Sequence, residues 1–160
     1  MKKIVNSLLL ALVGVVLFAS CKKDEHKNYY EGGTNPVLTA SDAGPFNLDI
    51  NTRNATAVTF SWTNPNYQFT TGLSSQDVTY TVQIAKSGTN FAPATTVEVA
   101  VPKDLSRTFT VGQLNTALLT AGLIEDISAD FEVRLKSSLA NGNAALYSNV
   151  LSFTAKPFLD

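Results

Sequence analysis

From Pro36 onward, hydrophobic residues alternate with polar ones in short runs. The runs with this period of two are "VTFSW", "DVTYTVQIA", "VEVAV", "FEVRL" and, with one interruption at Asn149, "YSNVLSFTA". Such alternation buries one face of a strand and leaves the other in water, which is typical of antiparallel sheets. Turn-forming residues separate the runs, and about seven short strands at this spacing predict an all-β sandwich.

One segment departs from this alternation. In "VGQLNTALLTAGL", Leu114, Ala117 and Leu118 recur at helical spacing, and Gly122 is placed to end a helix. The pattern predicts one short helix near residues 113–121 that crosses from one sheet to the other. We expect its aliphatic face to cover the core of the sandwich.

The first twenty residues have the pattern of a secretory signal. Lysines follow the initial methionine, and an apolar run leads to the small residues Ala19 and Ser20. The run is short for a membrane-spanning helix. Cys21, the only cysteine in the chain, follows directly, in an arrangement that resembles a bacterial lipobox, although Phe18 stands where leucine is commonest. We therefore predict that residues 1–20 are a cleaved lipoprotein signal peptide and that Cys21 is acylated, which anchors the protein to membrane lipid.

Charged residues follow the cysteine. Lys23, Asp24 and Glu25 resemble the surface-export signal of Bacteroidota lipoproteins; the alternative is an ordinary solvated charge cluster. Residues 21–35 contain paired glycines and no apolar periodicity, so they predict a lipidated flexible tether. The folded domain is then predicted at residues 36–160.

Composition narrows the class of function mainly by exclusion. Without Lys2 and Lys3 the chain has 10 basic and 13 acidic residues, so no basic excess suggests nucleic acid. A single histidine, His26, leaves little from which to build a zinc site or general acid–base chemistry. The sequence has no glycine-rich phosphate loop, HExxH motif or EF-hand pattern. We therefore expect no catalysis, no cofactor, no metal and no nucleic-acid partner.

The order of the segments resembles known domains. "FSW", "YTVQI" and "FEVRLKSSLANGNAALYSNVLSF" are similar to the layout of fibronectin type III domains, which have an immunoglobulin-like fold. More narrowly, "PVLTA", "VTFSW", "YTVQI", "GTNF", "QLNTALLTAGL" and "FEVRL" follow one another as in the amino-terminal domain of SusE-like outer-membrane lipoproteins from Bacteroidota. This resemblance covers about residues 36–156.

The resemblance implies an accessory protein of a glycan-uptake system. It implies a lipid anchor in the outer membrane, a position facing the cell exterior, SusC/SusD-like transporter proteins as partners, and starch or another polysaccharide as ligand. In such proteins the first domain looks like a spacer and later domains bind polysaccharide, so the known binding residues of the family have no positions in this chain. The expected role is glycan capture or spacing and assembly. The alternative is a non-glycan structural or protein-interaction module, scaffold or adhesin-like, that pairs through an exposed strand edge.

The candidate carbohydrate site is the loop "TNPNYQFTTGLSSQD". Sugars stack on exposed aromatic rings while amide groups pair with their hydroxyls. The residues that could do so are Asn64, Asn66, Tyr67, Gln68 and Phe69. The alternative is that Tyr67 or Phe69 turns inward and covers the end of the sandwich. Trp62 is expected in the core, and Tyr29 and Tyr30 receive no role.

Overall fold

The computed structural model describes residues 27–140 and 142–159, and this part of the chain contains twelve strand segments, one α-helix and one short 3₁₀ helix, Ile50–Thr52. The strands are β1 (Tyr30–Gly32), β2 (Leu38–Ala40), β3 (Phe46–Asn47), β4 (Thr56–Trp62), β5 (Gln68–Phe69), β6 (Gly72–Leu73), β7 (Val78–Lys86), β8 (Thr96–Pro102), β9 (Ser106–Thr110), β10 (Ala129–Leu139), β11 (Leu146–Tyr147) and β12 (Leu151–Lys156); the helix is α1 (Val111–Thr120). The predictions for the signal peptide, Cys21, Lys23, Asp24 and Glu25 fall outside the described residues.

The strands form two packed sheets and a small third one. The larger sheet has the order β3-β12-β10-β7-β8, with β11 beside β10, and the second has the order β2-β4-β9. A small sheet of β1, β5 and β6 lies at one end. The all-β sandwich prediction is confirmed. The sequence pattern indicated only about seven strands because segments as short as two residues cannot show a period of two.

The alternation places the expected residues between the sheets. β4, β7 and β10 each turn every second side chain inward, and these buried residues are Val58, Phe60, Trp62, Tyr80, Val82, Ile84, Phe131, Val133 and Leu135. Trp62 is 5% exposed and packs against Tyr80 with ring centroids 5.6 Å apart. Its position in the core is therefore confirmed, and burial of such large apolar side chains is the main source of stability.

The helix begins two residues before the predicted start. Thr110 and Gln113 form a capping box, in which the Thr110 hydroxyl accepts from the Gln113 amide and the Gln113 side chain accepts from the Thr110 amide, both at 3.2 Å. Gly122 follows the helix with φ +92°, the left-handed conformation that glycine adopts without strain. The helix buries its aliphatic face, as predicted.

The described chain enters and leaves the sandwich at opposite ends. β1 pairs with β5, in the connection between β4 and β7. The last residues are held at the helix: the Asn115 side chain donates to the Phe158 carbonyl at 3.0 Å and accepts from the Phe158 amide at 2.8 Å. We call these the β1 end and the α1 end. The 11-residue strand β10, which runs from the α1 end toward the β1 end, is about 35 Å long.

Part of the segment predicted as a tether is a strand. Tyr30 is in register with Phe69, and Gly32 with Gln68. The amide of Thr34 also donates to the carbonyl of Pro65 at 2.7 Å. Residues before 36 therefore belong to the folded part of the described chain, because β1 pairs through its backbone with a loop that lies far along the sequence.

Candidate functional site

Tyr67, the central residue of the candidate loop, points into the sandwich. It is 2% exposed, its hydroxyl donates to the Ala144 carbonyl at 2.9 Å, and it lies 3.1 Å from the Ser137 hydroxyl. Burial raises the pKa of this phenol above its usual value. Tyr67 therefore turns inward, as the alternative interpretation of this loop expected, and its ring face is not available for stacking on a sugar.

The two asparagines, Asn64 and Asn66, precede β5 in this loop. Both are exposed, and the Asn64 side chain accepts from the Asn66 amide at 2.9 Å, which supports Asn66 at φ +46°. They line a polar cleft of about 320 Å³ together with Gln76, Asp77 and Lys103, of which the last two form a 2.9 Å salt bridge. Hydrogen-bonding groups converge here without an exposed aromatic ring.

The remaining two candidates, Gln68 and Phe69, form β5 and lie next to β1. Phe69 is half-buried, and Tyr30 packs edge-on against it with ring centroids 5.7 Å apart. Tyr30 is 43% exposed, and Tyr29 beside it is more exposed still. We call Tyr30 and Phe69 the aromatic patch. Sequence reasoning missed Tyr30 because it lies in a segment without periodicity, although paired aromatics in a linker are themselves a signal.

The outer face of the larger sheet carries a closed polar network. The Arg134 guanidinium lies between the rings of Phe91 and Tyr147, 4.2 and 4.4 Å from their centroids. Its Nε donates to the Gln83 side chain at 2.7 Å, and Gln83 in turn donates to Glu98. The loop after β7 returns over the sheet to place Phe91, which has φ +54°. These groups are satisfied within the domain, so the network is structural.

A groove lies between β8, β9 and α1. It has a volume of about 620 Å³. Apolar side chains from both strands and the helix line it, together with polar residues of the helix and two arginines, Arg53 and Arg107. We call it the edge groove.

Neither a metal site nor a membrane-spanning helix occurs in the described part of the chain. Residues 27–140 and 142–159 contain no group of three histidine, cysteine or acidic side chains able to hold a metal ion. No helix in these ranges has the length and apolar character needed to cross a bilayer.

Comparison with known proteins supplies the family. The sequence model described as SusE outer membrane protein matches residues 23–136, which is more than half of the chain. No curated protein matches the sequence. The match includes β1, the candidate loop, the edge groove and most of β10. The family model thus matches the same family that the order of the segments resembles. The chain belongs to the SusE outer membrane protein family.

Proposed function

We propose that this protein is a lipid-anchored, outward-facing outer-membrane lipoprotein whose sandwich acts as a spacer in a glycan-uptake system of the SusC/SusD type. Family membership supports the outer-membrane location and the accessory role. The observation that carries the spacer role is that β1 and the segment around Phe158 lie at opposite ends of the sandwich. A domain with this geometry separates whatever is attached at its two ends.

The distance from the proposed anchor supports the same role. Tyr30, the first residue of β1, lies nine positions after Cys21, and a chain of that length spans at most about 30 Å when fully extended. Acylated Cys21 would thus keep the β1 end close to the membrane. The α1 end would stand farther out by up to the length of the sandwich, about 35 Å along β10.

Replacement of Cys21 tests the anchor. The Cys21→Ser variant has no thiol to acylate, so we expect it to leave the membrane fraction while wild type stays in it. The matched control is Ser20→Ala, which keeps a small residue before the cysteine and should remain with the membrane. Unchanged sedimentation of Cys21→Ser with outer membranes would contradict the proposal.

Replacement of the charged residues after Cys21 tests the outward orientation. If Lys23, Asp24 and Glu25 are an export signal, changing all three to alanine leaves the protein membrane-bound but protected from protease added to whole cells. If the three residues are only an ordinary charge cluster, the triple alanine variant should be as sensitive to the added protease as wild type. Lys27 and Glu31, changed together to alanine, provide a control for the loss of nearby charge.

Glycan capture is the second candidate function, and the aromatic patch favours it. Tyr30 is 43% exposed and packs on Phe69, so the pair offers aromatic ring surface of the kind on which sugars stack. We expect the protein to be retarded in gels that contain its polysaccharide, and the Tyr30→Ala/Phe69→Ala variant to migrate as in empty gels. Ile127→Ala, which removes an exposed apolar side chain at the α1 end, is the control. If wild type migrates without retardation in every polysaccharide of a panel that includes starch, glycan capture is contradicted and the spacer role is the remaining candidate.

A further inference from the structure

The edge groove lies between two unpaired strand edges. Among the described strands, β8 pairs only with β7 and β9 pairs only with β4, so each ends its sheet. The groove contacts both strands, and side chains of α1 form its third wall. An unpaired edge carries a row of backbone donors and acceptors that another extended segment can meet.

The floor of the groove is apolar and follows the strand period. Val97 and Val99 lie two residues apart on β8, and Phe109 and Ala117 complete the floor from β9 and α1. Val97 and Val99 are half-buried, although the period-two pattern would bury them fully in a closed sandwich. The spacing suits an added strand that turns every second side chain toward the floor.

Arg107 gives the groove its charge. It is in register with Phe60, a core residue, so it lies on the inward face of β9 at the edge of the sandwich. Its guanidinium carbon lies 5.6 Å from the Phe109 ring centroid, and its Nε is buried without a hydrogen-bond partner. No aspartate or glutamate is among the described residues that line the groove. A carboxylate is the complementary group, since it accepts from guanidinium donors.

The groove favours a peptide over a sugar. No aromatic ring face is open in it, because Phe109 is 2% exposed, whereas strand edges and a period-two apolar floor are present. We propose that the edge groove binds an extended segment of a partner protein. The segment adds a strand to the edge of β8, packs apolar side chains on Val97 and Val99, and places a carboxylate on Arg107. This inference depends neither on the lipid anchor nor on the spacer role.

A designed peptide tests the proposal. The probe is a capped, fluorescein-labelled nine-residue peptide in which valine alternates with serine and glutamate takes the central position; its matched control has lysine there. We expect saturable binding of the glutamate peptide to the full-length protein in detergent, followed by fluorescence anisotropy. We also expect slower amide hydrogen exchange in β8 when the peptide is bound. Absence of saturable binding, or slowed exchange confined to other strands, would overturn the proposal.

Charge reversal in the groove identifies the contact. Arg107→Glu should weaken the glutamate peptide by roughly tenfold or more and strengthen the lysine peptide. Thr116→Glu places a negative charge on the exposed helical wall and decides the question if Arg107→Glu does not fold. Lys86→Glu, outside the groove, is the control and should bind as wild type. Equal affinities across the groove variants and the control would overturn the proposal.

Three other outcomes would also contradict the proposal. The first is that the inward-pointing charge of Arg107 on its edge strand serves only to prevent edge pairing. In that case Arg107→Leu would form oligomers while binding the peptide as well as wild type does. Concentration-dependent dimers of wild type with β8 protected would make a second copy the occupant. Saturable binding of oligogalacturonate that displaces the peptide would make the site one for acidic sugar.

Discussion

Tyr67 has the same neighbours in the sequence whether it faces a ligand or the core. Its position is decided by Ser137 and Ala144, about 70 residues along the chain, to which its hydroxyl is hydrogen-bonded. The loop composition therefore predicted an aromatic and amide-rich site but could not predict which ring is exposed. Trp62 was predictable because it is the fifth residue of a regular alternation and its strand neighbours determine its face.

Buried tyrosines should make the protein sensitive to alkali. Burial raises the pKa of both Tyr67 and Tyr80 above the value of 10.0 that applies to exposed tyrosine. Above that pH the unfolded chain releases these protons while the folded chain retains them, so folding stability falls as pH rises from the unfolded pKa toward the folded one. Below pH 10 this contribution is fully present.

The test compares wild type with Tyr67→Phe. Urea unfolding between pH 8 and about 11 should show a shallower loss of unfolding free energy in Tyr67→Phe, because one titrating group is removed. The variant should also lose about 1 kcal/mol at pH 8, since the hydroxyl bonds to Ser137 and Ala144 are gone. Identical pH slopes in the two proteins would refute the assignment. Tyr80→Phe is the companion variant, with the same expected flattening.

Five of the longer strands and the helix followed from the sequence pattern, whereas the five-residue strand β9 and the shorter strands did not. The main strands β4, β7, β8 and β10 coincide with the alternating runs. By contrast, β1 is a strand because its backbone pairs with β5, which no local pattern indicates. The helix start was predicted two residues late because the hydrophobic spacing begins inside the helix. The "TVGQ" capping box was present in the sequence and is the signal that places the start at Val111.

The capping box gives an element-scale prediction. Thr110→Ala removes the acceptor for the Gln113 amide, so we expect the free energy of unfolding to fall by about 1 kcal/mol in urea denaturation. The control is Thr116→Ala on the exposed side of the same helix, with an expected change within about 0.5 kcal/mol. Equal effects of the two substitutions would contradict a specific role for the cap.

At the scale of the whole molecule, the sequence predicted the sandwich class and the family resemblance, and both are confirmed. The sequence could not predict which loops lie at each end of the sandwich or which strands form the sheet edges. Which loops share an end depends on strand register, and the edge groove depends on which strands end their sheets. The five candidate residues also divide at this scale: Asn64 and Asn66 line the polar cleft, Tyr67 is buried, and Gln68 and Phe69 join β1.

The central claim is that the sandwich stands on the membrane by its β1 end. Energy transfer from a dye on the protein to acceptor-labelled lipid headgroups measures this directly in liposomes that carry the lipidated full-length chain. Dyes are placed on Gln76→Cys at the β1 end and Glu125→Cys at the α1 end, both exposed positions. The account predicts strong transfer from position 76 and much weaker transfer from position 125, since the sandwich separates them by about 35 Å. Equal transfer from the two positions, or stronger transfer from position 125, would contradict it.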